Sequence, residues 1–222
     1  METTVLVAAH NEADRLPATL AALAAAFPGA RVVVADDGST DDTAAVAVAG
    51  GAEVVSTGSD IGKGGAMTAA ARHALADGVP GIAIVCDGDL GESAAHLPAL
   101  VEVVRDGRGD LAVGAFARRV GGGVGAAVGF ARWSLRRLTG LELAAPISGQ
   151  RAMRGDVLQA VVPFAPRFGM EIGMTIDATR AGYRVVEVAL DLEHRATTRD
   201  LRGFLHRGRQ LADFVAVTLD RR

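Results

Sequence analysis

Residues 81–89, Gly-Ile-Ala-Ile-Val-Cys-Asp-Gly-Asp, join a short apolar run to two carboxylates. The run 81–86 is typical of a strand that is buried on both faces of a sheet. Asp87 and Asp89 follow it directly, and in an extended chain the side chains of residues i and i+2 point to the same side. Both carboxylates can therefore face one cation, and oxygen ligands suit Mg²⁺ or Mn²⁺.

Apolar runs of the same kind alternate with helical stretches along the chain, which predicts an α/β fold. Such strands, separated by helices, indicate a mostly parallel central sheet with helices on both faces. In a sheet of this kind, ligands bind at the carboxyl ends of the strands. The other predicted strands are 3–9, 31–35, 53–56, 110–115 and 183–193, and the predicted helices are 17–27, 41–49, 64–76, 94–105, 130–138, 157–161, 171–180 and 201–219.

The composition favours one globular domain over residues 1–222, since half of the residues are hydrophobic and 22% are charged. The lone cysteine, Cys86, excludes an intramolecular disulfide framework and a Cys-rich zinc site. An aromatic content of 4% disfavours a stacking platform for nucleic acid. No apolar run has membrane-spanning length, so we expect a cytoplasmic protein, or one that only touches the inner face of a membrane.

The charge is divided unevenly between the two halves of the chain. Residues 1–114 carry 16 acidic and 6 basic side chains, whereas residues 115–222 carry 10 acidic and 17 basic ones. An acidic half can hold a cation and a basic half can meet an anion. A chance scatter of solvated surface charge is an equally good interpretation of this division taken alone.

Three polar clusters follow predicted strands, at the point where each strand ends. They are His10-Asn11-Glu12, the segment 36–40 and Asp87-Gly88-Asp89. A single aspartate in such a place is usually a helix cap. Three clusters at one edge of a sheet instead favour a ligand site.

A glycine-rich turn, residues 60–65, leads into a predicted helix and carries the only lysine of the chain, Lys63. Glycine permits a close approach of the backbone, and a helix N-terminus with a lysine suits an anion. The Walker A and dinucleotide-binding patterns are absent, which disfavours a kinase or a dehydrogenase. No Gly-x-Ser-x-Gly elbow is present, so Ser-His-Asp hydrolysis has no support. His194, at the end of the last predicted strand, is either an ordinary rim histidine or a ligand.

Taken together, residues 5–12, 34–41, 62–64 and 87–89 resemble, in the same order, the motifs of GT-A glycosyltransferases of family 2. The resemblance implies a GT-A, Rossmann-like domain that uses a UDP- or GDP-sugar and Mg²⁺ or Mn²⁺. Residues 1–114 would form the half that binds nucleotide-sugar and metal, and 115–222 the acceptor half with an amphipathic C-terminal helix. The donor-binding residues implied are Ala9, Asn11, Glu12, Asp37, Lys63, Asp87 and Gly88.

The second half is similar to two groups within that class. Residues 146–152 resemble the S-G-x-R-A stretch of dolichyl- and polyprenyl-phosphate sugar synthases, and residues 164–173 and 194–195 look more like glucosyl-3-phosphoglycerate synthases. The resemblance implies that Glu171 contacts the sugar, that Asp89 and Glu171 are catalytic, and that His194 joins Asp87 and Asp89 at the metal. A small phosphorylated acceptor or a lipid phosphate would be drawn to the basic half. The acceptor-binding residues expected there are Arg118, Arg119, Arg132, Ser148 and Gly149.

Two other functions stay open on the sequence. A sugar-phosphate nucleotidyltransferase shares the architecture and acidic metal ligands, but residues 7–12 lack the glycine-rich loop expected of it. A non-catalytic nucleotide-binding scaffold is the second alternative, which the intact Asp87, Asp89 and Lys63 disfavour. The helix 201–219, with a basic start and an apolar stripe, fits packing against the core or a second copy in a homodimer, or contact with an anionic membrane surface.

Overall fold

The computed structural model describes residues 2–116, 125–190 and 201–221. Within these residues the chain forms one seven-stranded sheet with the strand order β3-β2-β1-β4-β6-β5-β7. All pairs are parallel except those made by β6, so the predicted mostly parallel sheet is confirmed. The strands are β1 Thr3–Ala9, β2 Arg31–Asp36, β3 Glu53–Ser56, β4 Ile82–Asp87, β5 Leu111–Phe116, β6 Arg151–Arg154 and β7 Val185–Leu190.

Helices cover both faces of the sheet, as predicted. Along β1, Val5 and Val7 face one apolar cluster and Leu6 faces the other, because alternate side chains of a strand point to opposite faces. Leu16 and Leu100 belong to the first cluster. The helices are α1 Leu16–Ala26, α2 Thr43–Ala49, α3 Lys63–Ala76, α4 Pro98–Arg105, α5 Gly125–Thr139, α6 Gly155–Val161, α7 Met170–Arg180 and α8 Leu201–Asp220, with 3₁₀ turns at Gly91–His96 and Arg167–Gly169.

Strand β6 was not predicted, because a four-residue segment with an arginine at each end lacks an apolar run. It lies between β4 and β5 and runs antiparallel to both. Arg151 pairs with Val85 of β4. Since the two strands run in opposite directions, the residues just before Arg151 lie beside the residues just after Val85. This topology brings Gly149 and Gln150 to the carboxyl end of β4.

Several predicted elements have different bounds in the structure, such as the helix predicted over 130–138, which is α5, Gly125–Thr139. The predicted helix 94–105 is a 3₁₀ turn followed by α4, which begins at Pro98, a residue suited to a first helical position. The described part of the last strand is Val185–Leu190, and residues 191–193 of the predicted strand lie outside the described residues. The sequence also predicts a mobile loop over residues 121–125; residues 121–124 lie outside the described residues, and Gly125 is the first residue of α5.

The C-terminal helix α8 packs against α5 and α7 through a third apolar cluster. Phe214 and Val217 of α8 are buried there with Leu135 of α5. The buried hydroxyls of Ser134 and Thr218 form a hydrogen bond of 2.7 Å between α5 and α8. One face of the described part of α8 is therefore packed against the core, which is one of the alternatives predicted for this helix.

Candidate active site

The three polar clusters lie at one edge of the sheet, because β2, β1 and β4 are neighbouring parallel strands. The backbone ties their ends together. The Asp37 N–H donates to the Ala9 carbonyl at 3.0 Å, and the Gly88 N–H donates to the Ala8 carbonyl at 2.8 Å. The edge at which ligands bind in such sheets is therefore the edge that carries these clusters.

Lys63 lies at the centre of an ion-pair cluster formed with two carboxylates. Its ammonium Nζ is 2.6 Å from Asp87 Oδ1 and 2.7 Å from Glu171 Oε1. Lys63 is the first residue of α3, and Glu171 lies in the first turn of α7. Burial lowers the pKa of Lys63, but the charges and hydrogen bonds of the two carboxylates raise it further, so the net pKa lies above its usual value. The amine is therefore charged.

The other oxygen of Asp87 is held by Gln150. The side-chain amide Nε2 of Gln150 donates to Asp87 Oδ2 at 2.8 Å, and its Oε1 accepts a hydrogen bond of 3.0 Å from the Ser148 hydroxyl. This role of Gln150 was not predicted. Its only signal was its place in the segment 146–152, beside Ser148 and Gly149.

Gly149 lies so close to this cluster that a side chain there would displace Asp87 or Lys63. A Cβ atom at this position would be 2.7 Å from Asp87 Oδ2 and 2.8 Å from Lys63 Nζ. Protein Cβ atoms do not come within 3.0 Å of such neighbours without a shift. Glycine at 149 is therefore a condition for the closeness of Lys63 and Asp87 to this backbone.

The predicted donor-binding residues that follow β1 contact the loop after β2 and the first residue of α2. Asn11 has a left-handed backbone with φ of 56°, which asparagine tolerates better than most residues. Its Oδ1 accepts a hydrogen bond of 2.8 Å from the Thr40 N–H, and its own N–H donates to the Ser39 hydroxyl at 2.9 Å. The Glu12 N–H donates to Thr43 Oγ1 at 2.8 Å. These bonds fix both loops in one wall of the site.

Asp36 and Asp37 are both buried and have different partners. Asp36 accepts hydrogen bonds from the Ser39 N–H and the Ser56 hydroxyl, so it joins the loop after β2 to the end of β3. Asp37 Oδ1 accepts a hydrogen bond of 2.8 Å from the Ile61 N–H. Asp37 therefore connects β2 to the turn that leads into Lys63.

Asp89 has a different partner from Asp87. Arg15 Nη1 lies 3.8 Å from Asp89 Oδ2 and 3.1 Å from Glu12 Oε2. Burial, followed by the negative charge of Asp89, raises the pKa of Glu12. The contact of Arg15 was not predicted, because this residue lies outside the polar clusters at the strand ends.

The donor atoms at Asp87 and Asp89 fit a hard divalent cation. In the described part of the chain, no three His, Cys, Asp or Glu side chains form a group that could hold a metal ion. Mg²⁺ is typically held by one or two carboxylates and completed by water and substrate phosphates. Two carboxylates therefore suit a cation that binds together with a diphosphate. His194 lies outside the described residues.

The glycines at the start of α3 allow another segment of the protein to approach closely. A Cβ at Gly64 would lie 1.9 Å from the carbonyl oxygen of Ala165, and one at Gly62 would lie 2.7 Å from the Arg167 side chain. The backbone that approaches these glycines is therefore the protein segment 165–167. This packing joins α3, with Lys63, to the segment that precedes Glu171.

The predicted acceptor residues fall into three groups. Ser148 and Gly149 belong to the Lys63–Asp87 cluster described above. Arg132 of α5 donates to the Ala144 carbonyl and lines a groove of about 520 Å³ with Trp133, Arg136 and Leu143. Arg118 and Arg119 lie outside the described residues.

Comparison with solved structures identifies the class of this fold and site. A glucosyl-3-phosphoglycerate synthase from Mycobacterium tuberculosis, in complex with Mn²⁺, UDP-glucose and phosphoglyceric acid, has a TM-score of 0.78 and 28% sequence identity. The match covers 99% of this chain and 79% of the other. The same enzyme with Mg²⁺ and UDP has a TM-score of 0.79 and 29% identity, with the same coverage. The chain thus has the single α/β domain of the GT-A glycosyltransferases, as predicted.

Comparison of sequences identifies the family. The model of glycosyl transferase family 2 matches residues 4–154. An undecaprenyl-phosphate mannosyltransferase from Micrococcus luteus is 32% identical over 216 residues, covering 88% of this chain and 85% of the relative. A glucosyl-3-phosphoglycerate synthase from Mycolicibacterium paratuberculosis is 31% identical over 242 residues, covering 97% and 68%. The chain belongs to glycosyl transferase family 2 and is a glycosyltransferase.

Proposed function

We propose that this chain transfers a sugar from a UDP- or GDP-sugar to an acceptor that bears a phosphate, with Mg²⁺ or Mn²⁺ as cofactor. The observation that carries the proposal is the cluster of Lys63, Asp87 and Glu171 at the carboxyl edge of the sheet, with Asp89 two residues after Asp87 in the chain. Support comes from the structural neighbours, which hold UDP-glucose or UDP with Mn²⁺ or Mg²⁺.

The wall formed by β1 and β2 would bind the nucleoside of the donor. Asp37 would hold the base or ribose, and the backbone of Ala9 with Asn11 and Glu12 would complete that wall. Asn11 and Asp37 are held by bonds to neighbouring loops. A donor would therefore meet preformed groups, which reduces the ordering cost of binding.

Asp87 and Asp89 would hold the cation next to the donor diphosphate, with Gly88 between them in close contact with β1. His194 is the third ligand that we propose. The bound cation supplies Lewis-acid charge that stabilises the departing nucleoside diphosphate.

Lys63 and Glu171 would act on the diphosphate and the sugar. The Lys63 ammonium is fixed between two carboxylates, so its charge faces the site without rearrangement. Glu171 would accept a hydrogen bond from a sugar hydroxyl. In the reaction, the bond between the anomeric carbon and the diphosphate oxygen breaks, and a bond to an acceptor oxygen forms. When the attacking oxygen belongs to the phosphate, it is already an anion and the step needs no strong base. When it is a hydroxyl of a phosphorylated acceptor, its proton would pass to a carboxylate, for which Glu171 is the candidate.

The acceptor would approach through the basic second half. Arg132 and Arg136 place two cations along the groove beside α5, which Glu142 also lines with a carboxylate 3.7 Å from Arg136 Nη1, and Trp133 and Leu143 add apolar surface. Arg118 and Arg119 are further candidates. The arginines suit a phosphate, and the apolar lining suits either a small organic acid or the first units of a polyprenyl chain.

The first experiment tests the donor and the metal. UDP, GDP and their common sugar conjugates are screened for a rise in melting temperature, each with and without Mn²⁺, because a ligand that binds only the native state stabilises it. We expect a shift with one nucleoside diphosphate that depends on the metal. In Asp89→Asn the affinity for this nucleoside diphosphate in the presence of Mn²⁺ should fall at least about tenfold, since one carboxylate ligand of the metal is lost.

The result for the nucleotides also separates the alternatives. Pyrophosphate release from a nucleoside triphosphate would instead indicate a nucleotidyltransferase. No shift with any nucleotide would indicate a scaffold. An unchanged affinity in Asp89→Asn would contradict the metal assignment.

We further propose that α5 and α8 meet an anionic membrane surface. Trp133, Val215 and Leu219 are large apolar residues that are 37–54% exposed, and Arg136 and Arg137 are exposed beside Trp133 on α5. Exposed apolar residues with nearby arginines are typical of interfacial helices. No helix in the described part of the chain is long and apolar enough to cross a bilayer.

Transfer to 3-phosphoglycerate in solution, compared with transfer to polyprenyl phosphate in anionic vesicles, tests the acceptor and the membrane contact together. Leu219→Asp should lower transfer to the vesicle-borne acceptor about tenfold and leave the soluble reaction unchanged, because the exposed apolar surface is lost. If Leu219→Asp transfers sugar to the vesicle-borne acceptor as fast as the wild type does, membrane contact by this face is contradicted. A doubled mass in solution that Leu219→Asp reduces to that of one chain would assign the same face to a homodimer.

A further inference from the structure

The segment 144–150 carries Gly149 and Gln150 to Asp87 without being a helix or a strand. Within it, the Ser148 N–H donates to the Ala145 carbonyl at 3.1 Å. Side chains from outside the segment supply further bonds. Both carboxylate oxygens of Glu187 in β7 accept hydrogen bonds, from the Ala144 N–H at 2.9 Å and the Ala145 N–H at 2.6 Å. The position of the segment therefore depends on side chains that lie outside it.

Arg151 binds the other end of this segment. Its side chain is fully buried, with no exposed surface. Nε donates to the Ser148 carbonyl at 3.0 Å, and Nη2 donates to the Pro146 carbonyl at 3.2 Å. Nη1 donates to Thr175 Oγ1 of α7 at 2.9 Å. One planar guanidinium thus joins the segment 144–150 to the helix that carries Glu171.

Such a bridge requires arginine at this place. The three bonded partners are neutral oxygen atoms in three directions, which the fork of a guanidinium can reach at once and an ammonium cannot. Burial lowers the pKa of Arg151 to about 10, and the charge of Glu171 opposes this effect. A buried cation is costly, and apolar residues often replace one without loss of stability. Its position between two parts of the site indicates a role beyond packing.

We propose that Arg151 is a positioning residue for the glycosyl transfer. It fixes Gly149 and Gln150 on one side of the Lys63–Asp87 pair relative to Glu171 on the other side. Thr175 extends the connection, since its hydroxyl donates to the Glu171 carbonyl at 3.0 Å. The inference rests on the proposed function for its kinetic meaning, but the geometry that Arg151 maintains can be measured without any activity.

Lys63 makes this measurement possible because it is the only lysine in the chain. Protein grown with ¹³C- and ¹⁵N-labelled lysine gives one set of lysine signals, and that set reports the environment of Nζ. In Arg151→Met we expect these signals to shift. We also expect kcat to fall about 30-fold with little change in the donor KM, because misplacement of reacting groups lowers turnover more than binding.

Leu100→Ala is the matched control for stability. Leu100 of α4 is buried in one of the two apolar clusters that flank the sheet. Met170, the first residue of the helix that carries Glu171, belongs to the cluster on the other face. This variant loses stability through a cavity and should keep the lysine signals and the kcat of the wild type. If the lysine signals and the kcat of Arg151→Met differ from the wild type no more than those of Leu100→Ala do, the positioning role is overturned.

Thr175→Val and Thr175→Ser provide a second test if Arg151→Met does not fold. Valine removes one oxygen acceptor of Arg151 at nearly constant shape, whereas serine keeps it. The lysine signals should shift in Thr175→Val alone, with kcat lowered about fivefold. Identical lysine spectra for the two variants would contradict the proposal. Failure of the wild type to transfer sugar would instead overturn the proposed function and leave the spectroscopic test decisive for Arg151.

Discussion

Gly149→Ala is expected to lower kcat/KM at least about 100-fold, because it forces reacting groups apart. The added methyl group would lie 2.7 Å from Asp87 Oδ2, 2.9 Å from Asp87 Oδ1 and 2.8 Å from Lys63 Nζ. Each distance is too short, so either the backbone of 149 or the Lys63–Asp87 pair must move. Steady-state kinetics with the donor found in the nucleotide screen measures the loss.

Gly29→Ala is the matched control for this substitution. Gly29 has a left-handed backbone with φ of 78°, and a Cβ there would meet nothing within 4 Å. Alanine should cost about 1 kcal/mol of stability through backbone strain alone and leave the site intact. Gly149→Ala should therefore lose activity that Gly29→Ala keeps at equal folded fraction. Activity of Gly149→Ala within threefold of the wild type would show that the contact has no catalytic consequence.

The edge of the site could be predicted because its information is local. A continuous apolar run followed by polar residues marks the end of a buried strand, and the bounds predicted for β1 and β3 agree with the structure. Parallel pairing of β2, β1 and β4 then brings the three polar clusters to one edge. The family comparison gives this edge its chemistry.

The other side of the site could not be predicted, because it depends on contacts between distant segments. Lys63 and Glu171 are 108 residues apart, and no local pattern indicates that they form an ion pair. Glu187 of β7 likewise binds the backbone of Ala144 and Ala145, which are 43 and 42 residues away along the chain. The short strand β6 gave no periodic signal, so its effect on Gly149 and Gln150 was missed as well.

Lys63→Met is expected to have the largest effect on the site. Asp87 and Glu171 would keep their places without the cation that they share. Their side chains are 30% and 8% exposed, and removal of one partner from such a buried group costs about 3 kcal/mol. The activity should fall about 1000-fold, because the fixed charge that we propose to act on the donor diphosphate is lost.

The pH dependence of the stability tests the physical cause. In wild type the pKa of Lys63 is raised in the folded state, so the stabilisation that it supplies is fully present at neutral pH and below the normal lysine pKa. In Lys63→Met, the two facing carboxylates repel one another as long as both are charged. Protonation of one of them at low pH removes this repulsion, so the loss of stability is present at neutral and high pH and becomes smaller as the pH falls. The difference in the free energy of unfolding between Lys63→Met and the wild type should therefore be larger at pH 8 than at pH 5.

Glu171→Gln in the Lys63→Met background separates stability from catalysis. It removes one of the two facing charges, so urea unfolding at pH 8 should show part of the lost stability restored, while the activity stays low because neither residue can perform its role. The nearly isosteric Glu171→Gln variant alone gives the fourth corner of the cycle. Equal unfolding free energies for wild type and Lys63→Met at both pH values would contradict the ion pair as a source of stability. Retained activity in Lys63→Met would exclude the ammonium from the reaction.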